Sequence, residues 1–431
     1  MSWDVKKLGE LCFIEKGNIG ITKAIPGDFP LVVLGDERRT HNEYQFDDDA
    51  VIIPLVSSTG HGHKSMKRIH FQSGKFAVGS ILCAVIPKDK SIVSAQYLYR
   101  YLNLYKEQEL VARMKGMANV SLPVKSIAEV EIPVPPIEIQ NGIIEKIDSV
   151  ETYSISLTVE QQRQLDLLKK LRQQILQDAV QGKLVPQDPD DEPAGKLLER
   201  IKLEKEKLIK EKKIKKEKPL PEIKPEEIPF EIPENWVWCR LNRIGTITGG
   251  GTPSMANDEY WNGNIPWVSP KDMLTDFIHD SEMKITVKGV EESSANIIQE
   301  KSIIIVGRSG ILKRRLPVAI NEVKCTVNQD MKVIIPHIDK MSRYLQFMFR
   351  GLEPIILREY VKFGMTVHSL KYNEFAQMPI PIPPIQEQHH IVSKIEQLLN
   401  LCDELEQTIL QNQKYTQDLL KVALKEALEA G

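Results

Sequence analysis

The chain has 431 residues, 42% hydrophobic and 27% charged, with a formal net charge of −2. That length suits two or three domains, and the near-neutral charge argues against a uniformly basic nucleic-acid coat while leaving room for local basic faces. No apolar run approaches the roughly 18 residues that span a bilayer, no signal-peptide core opens the chain, and the five scattered cysteines form no CxxC pair, so a cytoplasmic protein without membrane contact, disulfide framework or thiolate zinc site is expected.

In chain order, residues 1–136 carry short β-branched runs closed by glycine or proline, at 50–53 and 80–86, which predict strands. Ala95–Leu104 has tyrosine and leucine at helical spacing and predicts a short helix. A proline pair, Pro135-Pro136, then closes this body; prolines cannot continue a helix but can precede one. No proline interrupts residues 137–185, which predict a long helix. Its heptad register puts Ile147, Ser154, Gln161, Leu168 and Ile175 at a, with Val150, Leu157, Gln164 and Leu171 at d. Residues 186–234 form a charged, proline-rich linker in which 199–218 hold ten Lys/Arg against five Glu. This stretch reads as a solvated helix with i,i+4 pairs, the alternative being a nonspecific phosphate-facing role. Residues 235–384 repeat the strand-rich body, with strands expected at 302–306 and 331–335 and a short helix at 342–349. Residues 385–431 repeat the long helix, with Ile395, Cys402, Ile409, Thr416 and Ala423 at a and Leu398, Leu405, Asn412 and Leu419 at d.

The duplication is explicit. Ile132-Pro133-Val134-Pro135-Pro136-Ile137-Glu138-Ile139-Gln140 recurs as Ile380-Pro381-Ile382-Pro383-Pro384-Ile385-Gln386-Glu387-Gln388, 248 positions on, and the same offset carries Leu157 to Leu405 and Leu171 to Leu419 without a gap. Trp3, Leu8 and Leu11 answer Trp236, Leu241 and Ile244 at an offset of 233. A chain with two copies of one module presents two similar surfaces at a fixed separation. Polar residues midway along both helices (Gln161, Gln164, Asn412, Thr416) suit a paired coiled coil whose buried polar groups fix its register. About 45 helical residues would make a rod of roughly 70 Å.

Chemistry-bearing motifs are missing. There is no GxxxxGK[ST] to cradle nucleotide phosphates, no GxGxxG after a strand and no NPPY-type tetrapeptide. Glu211-Lys212-Lys213 sits in a Lys/Glu-rich run where such a triplet arises by chance. His61-Gly62-His63 has no acidic or cysteine partner nearby and reads as a glycine-rich loop rather than half a metal site. No catalytic residue, cofactor or metal is assigned.

The two IPxPPI-x-x-Q junctions, the segment Gln181-Gly182-Lys183-Leu184-Val185-Pro186-Gln187-Asp188-Pro189 after the first helix, Glu231-Ile232-Pro233-Glu234-Asn235-Trp236 opening the second half and Gly249-Gly250-Gly251-Thr252-Pro253-Ser254 beyond it resemble the DNA-specificity subunit of type I restriction–modification systems across essentially the whole chain. The resemblance implies an α+β fold with two strand-rich globular target-recognition domains (1–136 and 235–384), separated by two long helices (137–185 and 385–431) forming an antiparallel coiled coil with a pseudo-two-fold repeat. It also implies a non-catalytic subunit that reads a bipartite site on double-stranded DNA, docks two methyltransferase subunits and works with nuclease-translocase subunits. The competing reading is a structural coiled-coil adaptor whose globular ends bind protein. The first copy lacks the GGTPS run and is 15 residues shorter between its tryptophan and its proline pair, so two different half-sites are expected rather than a palindrome.

Bases are read by polar and cationic side chains, commonly from loops that leave short strands. In the second copy the run Arg308, Ser309, Gly310, Lys313, Arg314 and Arg315 combines glycine with four cations. Its counterpart in the first copy is Ser58, Thr59, Gly60, His61, His63 and Lys64, leading to Lys67 and Arg68. Lys115 with Gly116, and Lys362 with Thr366, form a second candidate pair, for which glycines that simply end a helix are the competing explanation. Trp3 and Trp236 read as core anchors. Asn328-Gln329 fits either adenine reading or a structural hydrogen-bonding role.

Overall fold

The computed structural model describes residues 3–59, 62–117, 119–215 and 220–429. The chain forms two compact units, one of residues up to Arg163 together with those from Ile409, the other Gln164–Thr408.

In the first unit a four-stranded antiparallel sheet runs in the order Cys12–Lys16, Leu82–Pro87, Ala50–Pro54, His70–Gln72. Its central strands are continuous apolar runs because both faces are covered. Val51, Ile53, Cys83 and Val85 enter one core, while Ala50, Ile52, Leu82 and Ala84 enter another, as the two-residue period of a strand requires. The second unit repeats this sheet as Gly245–Gly249, Met331–Pro336, Ile303–Val306 and Val318–Asn321, and adds Phe277–Ile278 parallel to the last strand. Each body is closed by its own ends. Asp4–Lys7 pairs antiparallel with Glu131–Val134, and Val237–Arg240 pairs with Pro379–Ile382.

The junction motif has a mechanical explanation. Gln140, fully buried, donates to the carbonyls of Ile92 and Pro135 at 2.8 Å each and accepts from the Ser94 amide at 3.0 Å. Gln388, also fully buried, donates to the Pro383 carbonyl at 3.0 Å. Tyr97 and Tyr344 donate to the carbonyls of Pro133 and Pro381 at 2.9 and 3.0 Å, satisfying those acceptors and fixing where each long helix leaves its body.

The long helices are Ile137–Val180 and Ile385–Glu429. Within the first unit Ile143, Ile144 and Ile147 share a core with Ala427 and Leu428, and Gln161 Nε2 lies 3.4 Å from Thr416 Oγ1, so numbers fall along one helix as they rise along the other: the pair is antiparallel. Within the second unit Arg172 pairs with Asp403 at 2.6 Å and Glu406 at 2.8 Å.

The seam departs from the expected heptads. Positions placed at a are inside: Ile147, Leu168, Ile175, Ile395 and Cys402 are buried. Of those placed at d, Val150 and Leu398 are half-buried, but Leu157, Leu171, Leu405 and Leu419 face out at 44%, 46%, 52% and 68% exposure. A second inner row lies four residues after most a positions, at Leu165, Arg172 and Ala179 on one helix and Leu399, Glu406, Leu420 and Ala427 on the other, whereas Thr158, four after Ser154, is exposed. Periodicity alone offered both registers, because each row contains leucines. The charged Arg172 enters the inner row by pairing with two carboxylates rather than by apolar packing.

The charged linker contains the helix Ala194–Lys210, which buries Ala194, Leu197, Leu198 and Ile201 on one face, with Lys196–Glu199 and Lys207–Glu204 pairs on the outside. No helix among the described residues is long and apolar enough to cross a membrane.

Candidate nucleic-acid interface

In the second copy the two candidate loops form one surface. Ile303–Val306 delivers the chain into the short strand Arg308–Ser309, which pairs with His368–Leu370, which in turn pairs with Val361–Lys362. Arg308 and Lys362 are therefore both register partners of Ser369, and both are exposed. Ser309 Oγ accepts from the Ile311 amide at 3.3 Å and caps the following turn. Gly310 lies so close to the tip of the hairpin that a Cβ there would sit 3.4 Å from the Thr366 carbonyl. Lys313, Arg314, Lys362 and Thr366 are exposed around this edge.

Arg315 is exposed like Lys313 and Arg314 but also borders a different feature. It lines a cleft of about 310 Å³ with Gln173, Leu176, Asp276, Arg350 and Glu353. Burial raises the Glu353 carboxyl, with Arg315 and Arg350 opposing that rise. Asp276 accepts from Arg350 at 2.5 and 3.0 Å and from Arg343 at 3.2 Å, so this cleft is an ion-paired structural joint.

The first copy repeats the arrangement. Val56 and Lys115 both bridge to Ser121, and the Ser57 amide donates to the Val120 carbonyl at 3.0 Å. Ser58 organises its loop: its Oγ accepts from the Lys67 amide at 2.8 Å and its own amide donates to the Ser65 carbonyl at 2.9 Å. Gly62 has φ +81°, and a Cβ there would run into the Met117 carbonyl, so this loop too abuts the hairpin tip. Thr59, His63, Lys64, Lys67 and Lys115 are exposed, while Lys64 Nζ also donates to the Ala112 carbonyl at 3.3 Å. Gly60 and His61 lie outside the described residues.

Arg68 lies against Asp36 as an ion pair and is only 21% exposed at its side chain. Beside it, His70 is pushed down to about 4, chiefly by burial and then by the charges of Arg38 and Arg68, and so stays neutral at physiological pH. Trp236 is buried, with its indole donating to Glu387 at 2.9 Å, whereas Trp3 is half-buried. Asn328 is buried and accepts from the Asp330 amide at 3.1 Å, the structural role; Gln329 accepts from Thr252. Burial pushes the Cys12, Cys83, Cys239 and Cys325 thiols up to about 12, so these four are protonated at neutral pH. Among the described residues, no cluster of histidine, cysteine and carboxylates could hold a metal.

The family model for the type I restriction modification DNA specificity domain matches residues 1–167 and again 233–413. The chain belongs to that family. It is 42% identical over 169 residues to the Escherichia coli EcoR124I/EcoR124II specificity subunit, covering 39% of this chain and 42% of that protein. It is 34% identical over 307 residues to the EcoAI specificity subunit of the same organism, covering 64% and 49%. The chain thus spans less than half the length of these curated relatives. Two solved structures share the fold over nearly the whole chain. One, described as the structural basis of complex assembly and conformational transition of the type I R-M system, has a TM-score of 0.63 at 15% identity and covers 99% of this chain and 97% of that one. The HsdS subunit from Thermoanaerobacter tengcongensis has a TM-score of 0.57 at 16% identity, covering 99% and 96%.

The sequence missed the hairpin that joins the two candidate loops. Its signal was available in the repeat, since Gly116-Met117 and Ser121-Leu122 recur as Gly364-Met365 and Ser369-Leu370, again 248 positions on.

Proposed function

We propose that this chain is the non-catalytic subunit that gives a type I restriction–modification complex its DNA sequence specificity, with residues 1–136 and 235–384 as its two target-recognition domains, 137–185 and 385–431 as spacer helices and 186–234 as the linker. One observation carries the reading: each copy brings a glycine-containing cationic loop against the tip of a strand-paired hairpin, so the chain has two equivalent but differently composed basic edges. Arg308, Ser309, Gly310, Lys313, Arg314, Lys362 and Thr366 would serve one half-site, and Ser58, Thr59, His63, Lys64, Lys67 and Lys115 the other. Cations there engage phosphates or guanine edges while hydroxyls read bases.

The partners follow from the outer faces of the helices. Tyr153, Leu157 and Leu171 on one helix and Leu401, Leu405 and Leu419 on the other are exposed, at positions related by the 248-residue offset. A duplicated apolar row suits two copies of one partner, the methyltransferase subunit, with nuclease-translocase subunits joining that complex in the cytoplasm. The test is a methylation assay on randomised duplexes with the assembled complex. A target of two unlike halves, with a spacer fixed in length but free in sequence, is the expected result. A complex without sequence preference would favour the coiled-coil adaptor.

A further inference from the structure

Each copy ends its paired strands on a bare methionine. Met117 is 95% exposed and Met365 104%, as open as in an extended peptide. The other residues shared by the two hairpins have structural reasons to be there. Gly116 has φ +112°, and a Cβ would run into the Asn119 carbonyl; at Gly364 a Cβ would run into the Val367 carbonyl. Ser121 and Ser369 hold the pairing to Lys115 and Lys362, and Leu122 and Leu370 are buried. The methionines bury nothing, so the fold does not explain why both copies carry one.

Their surroundings narrow what could cover them. Lys115 precedes the first tip and Lys362 the second, Arg308 lies across from Ser369, and the loop bearing Lys64 and Lys67 abuts the Met117 carbonyl at Gly62. An apolar tip within a cationic rim matches a partner with anionic edges and an apolar interior, which describes a duplex: phosphates outside, stacked bases within. The hairpin backbone is pinned on both sides of each tip, so binding needs to order only the methionine side chain and not the loop that carries it.

We propose that Met117 and Met365 are apolar wedges, one per half-site, that enter a groove and press between base pairs while the neighbouring cations hold the phosphates. A wedge reads deformability: steps that unstack readily accept it and stiff steps resist, which adds specificity at bases that no polar group touches. The proposal rests on the DNA-reading function above.

The experiment uses the assembled methyltransferase complex and duplexes carrying its target, with 2-aminopurine replacing adenines one at a time at positions other than the modified base. Unstacking raises 2-aminopurine fluorescence. Wild type should raise it at one step in each half-site. M117A and M365A should each abolish the rise in a single half-site and weaken binding by on the order of ten- to a hundred-fold, as burial of one methionine side chain implies. M117L and M365L should retain both signals. The slope of affinity against salt should stay unchanged in the methionine variants and fall by about one for K362A. Wild-type affinity and fluorescence in both alanine variants would overturn the wedge, as would loss of methyltransferase assembly in place of DNA binding. A wild-type complex that binds its target with no fluorescence rise would overturn the wedge alone, whereas one that binds no DNA would overturn the function beneath it.

Discussion

Arg240 and Glu227 form a bidentate ion pair, Nη1 to Oε1 at 2.6 Å and Nη2 to Oε2 at 2.8 Å. Arg240 ends the strand Val237–Arg240, is 6% exposed, and also donates to the carbonyls of Glu222 and Gln377 at 2.8 Å and Pro221 at 3.3 Å. It therefore fastens the proline-rich linker to the second body. The hydrogen bonds from Arg240 hold the Glu227 carboxyl down to about 2, from an ordinary value of 4.5.

A carboxyl depressed in the fold contributes stability that is fully present above its unfolded value and lost as pH falls through its folded one. Thermal stability is therefore expected to fall between about pH 4.5 and 2, with Glu227 contributing to that fall. Glu227→Gln should show a shallower fall and, at pH 7, a loss on the order of 1 kcal/mol, kept small because the Glu227 side chain is 36% exposed to water. A series of thermal melts on both proteins checks this, and parallel curves across that window would refute it.

The seam gives a second prediction. Leu168 is buried, so Leu168→Ala should cost about 2–5 kcal/mol. Leu405 is exposed, so Leu405→Ala should change stability by no more than about 0.5 kcal/mol yet weaken capture of the methyltransferase subunit. Leu405→Pro should do both, removing a helical hydrogen bond at about 3 kcal/mol or more. Denaturant unfolding with co-purification separates the cases. Equal destabilisation by the two alanine substitutions would restore the register in which Leu405 packs inside.

What the sequence made legible was what repeats. The 248-residue offset placed both long helices and both junctions, and Gln140, Gln388, Tyr97 and Tyr344 show why that motif is repeated: each donates to a carbonyl of the proline run. The strands were legible because their apolar runs have no polar face to hide them. The helix register was not, since leucines occupy both the inner and outer rows, and burial together with the Arg172 ion pairs reveals which is inside. Nor was the joining of the two loops in each copy, because strands of two or three residues carry too little periodicity to announce a pairing. Arg68 and Arg315 looked equivalent to their cationic neighbours in the sequence. Only the structure gives Arg68 to Asp36 and turns Arg315 toward a cleft beside Glu353.

A third prediction concerns chemistry. The purified chain should neither transfer methyl groups from S-adenosylmethionine nor cleave plasmid DNA. Both activities should appear only when partner subunits are added. Activity that follows this chain through successive purification steps would contradict the specificity-subunit function.

The last prediction separates reading from holding. Arg308 is exposed on a strand pinned at Ser369, and among the described residues no carboxylate pairs with it, so its guanidinium is available to a duplex. In a selection on randomised duplexes with the assembled complex, Arg308→Ala should relax preference within one half-site, costing roughly 1–3 kcal/mol, and leave the other half-site unchanged, if Arg308 bonds a base. Lys313→Ala and Arg314→Ala should instead weaken all sequences alike and reduce the salt slope, as phosphate contacts do. Arg315→Ala should leave sequence preference untouched and lower only stability, because its surroundings are the ion-paired cleft. A selection in which Arg308→Ala matches wild type in both affinity and sequence would remove Arg308 from the reading surface. One in which Arg315→Ala alters the recognised bases would overturn the division between the two edges of that loop.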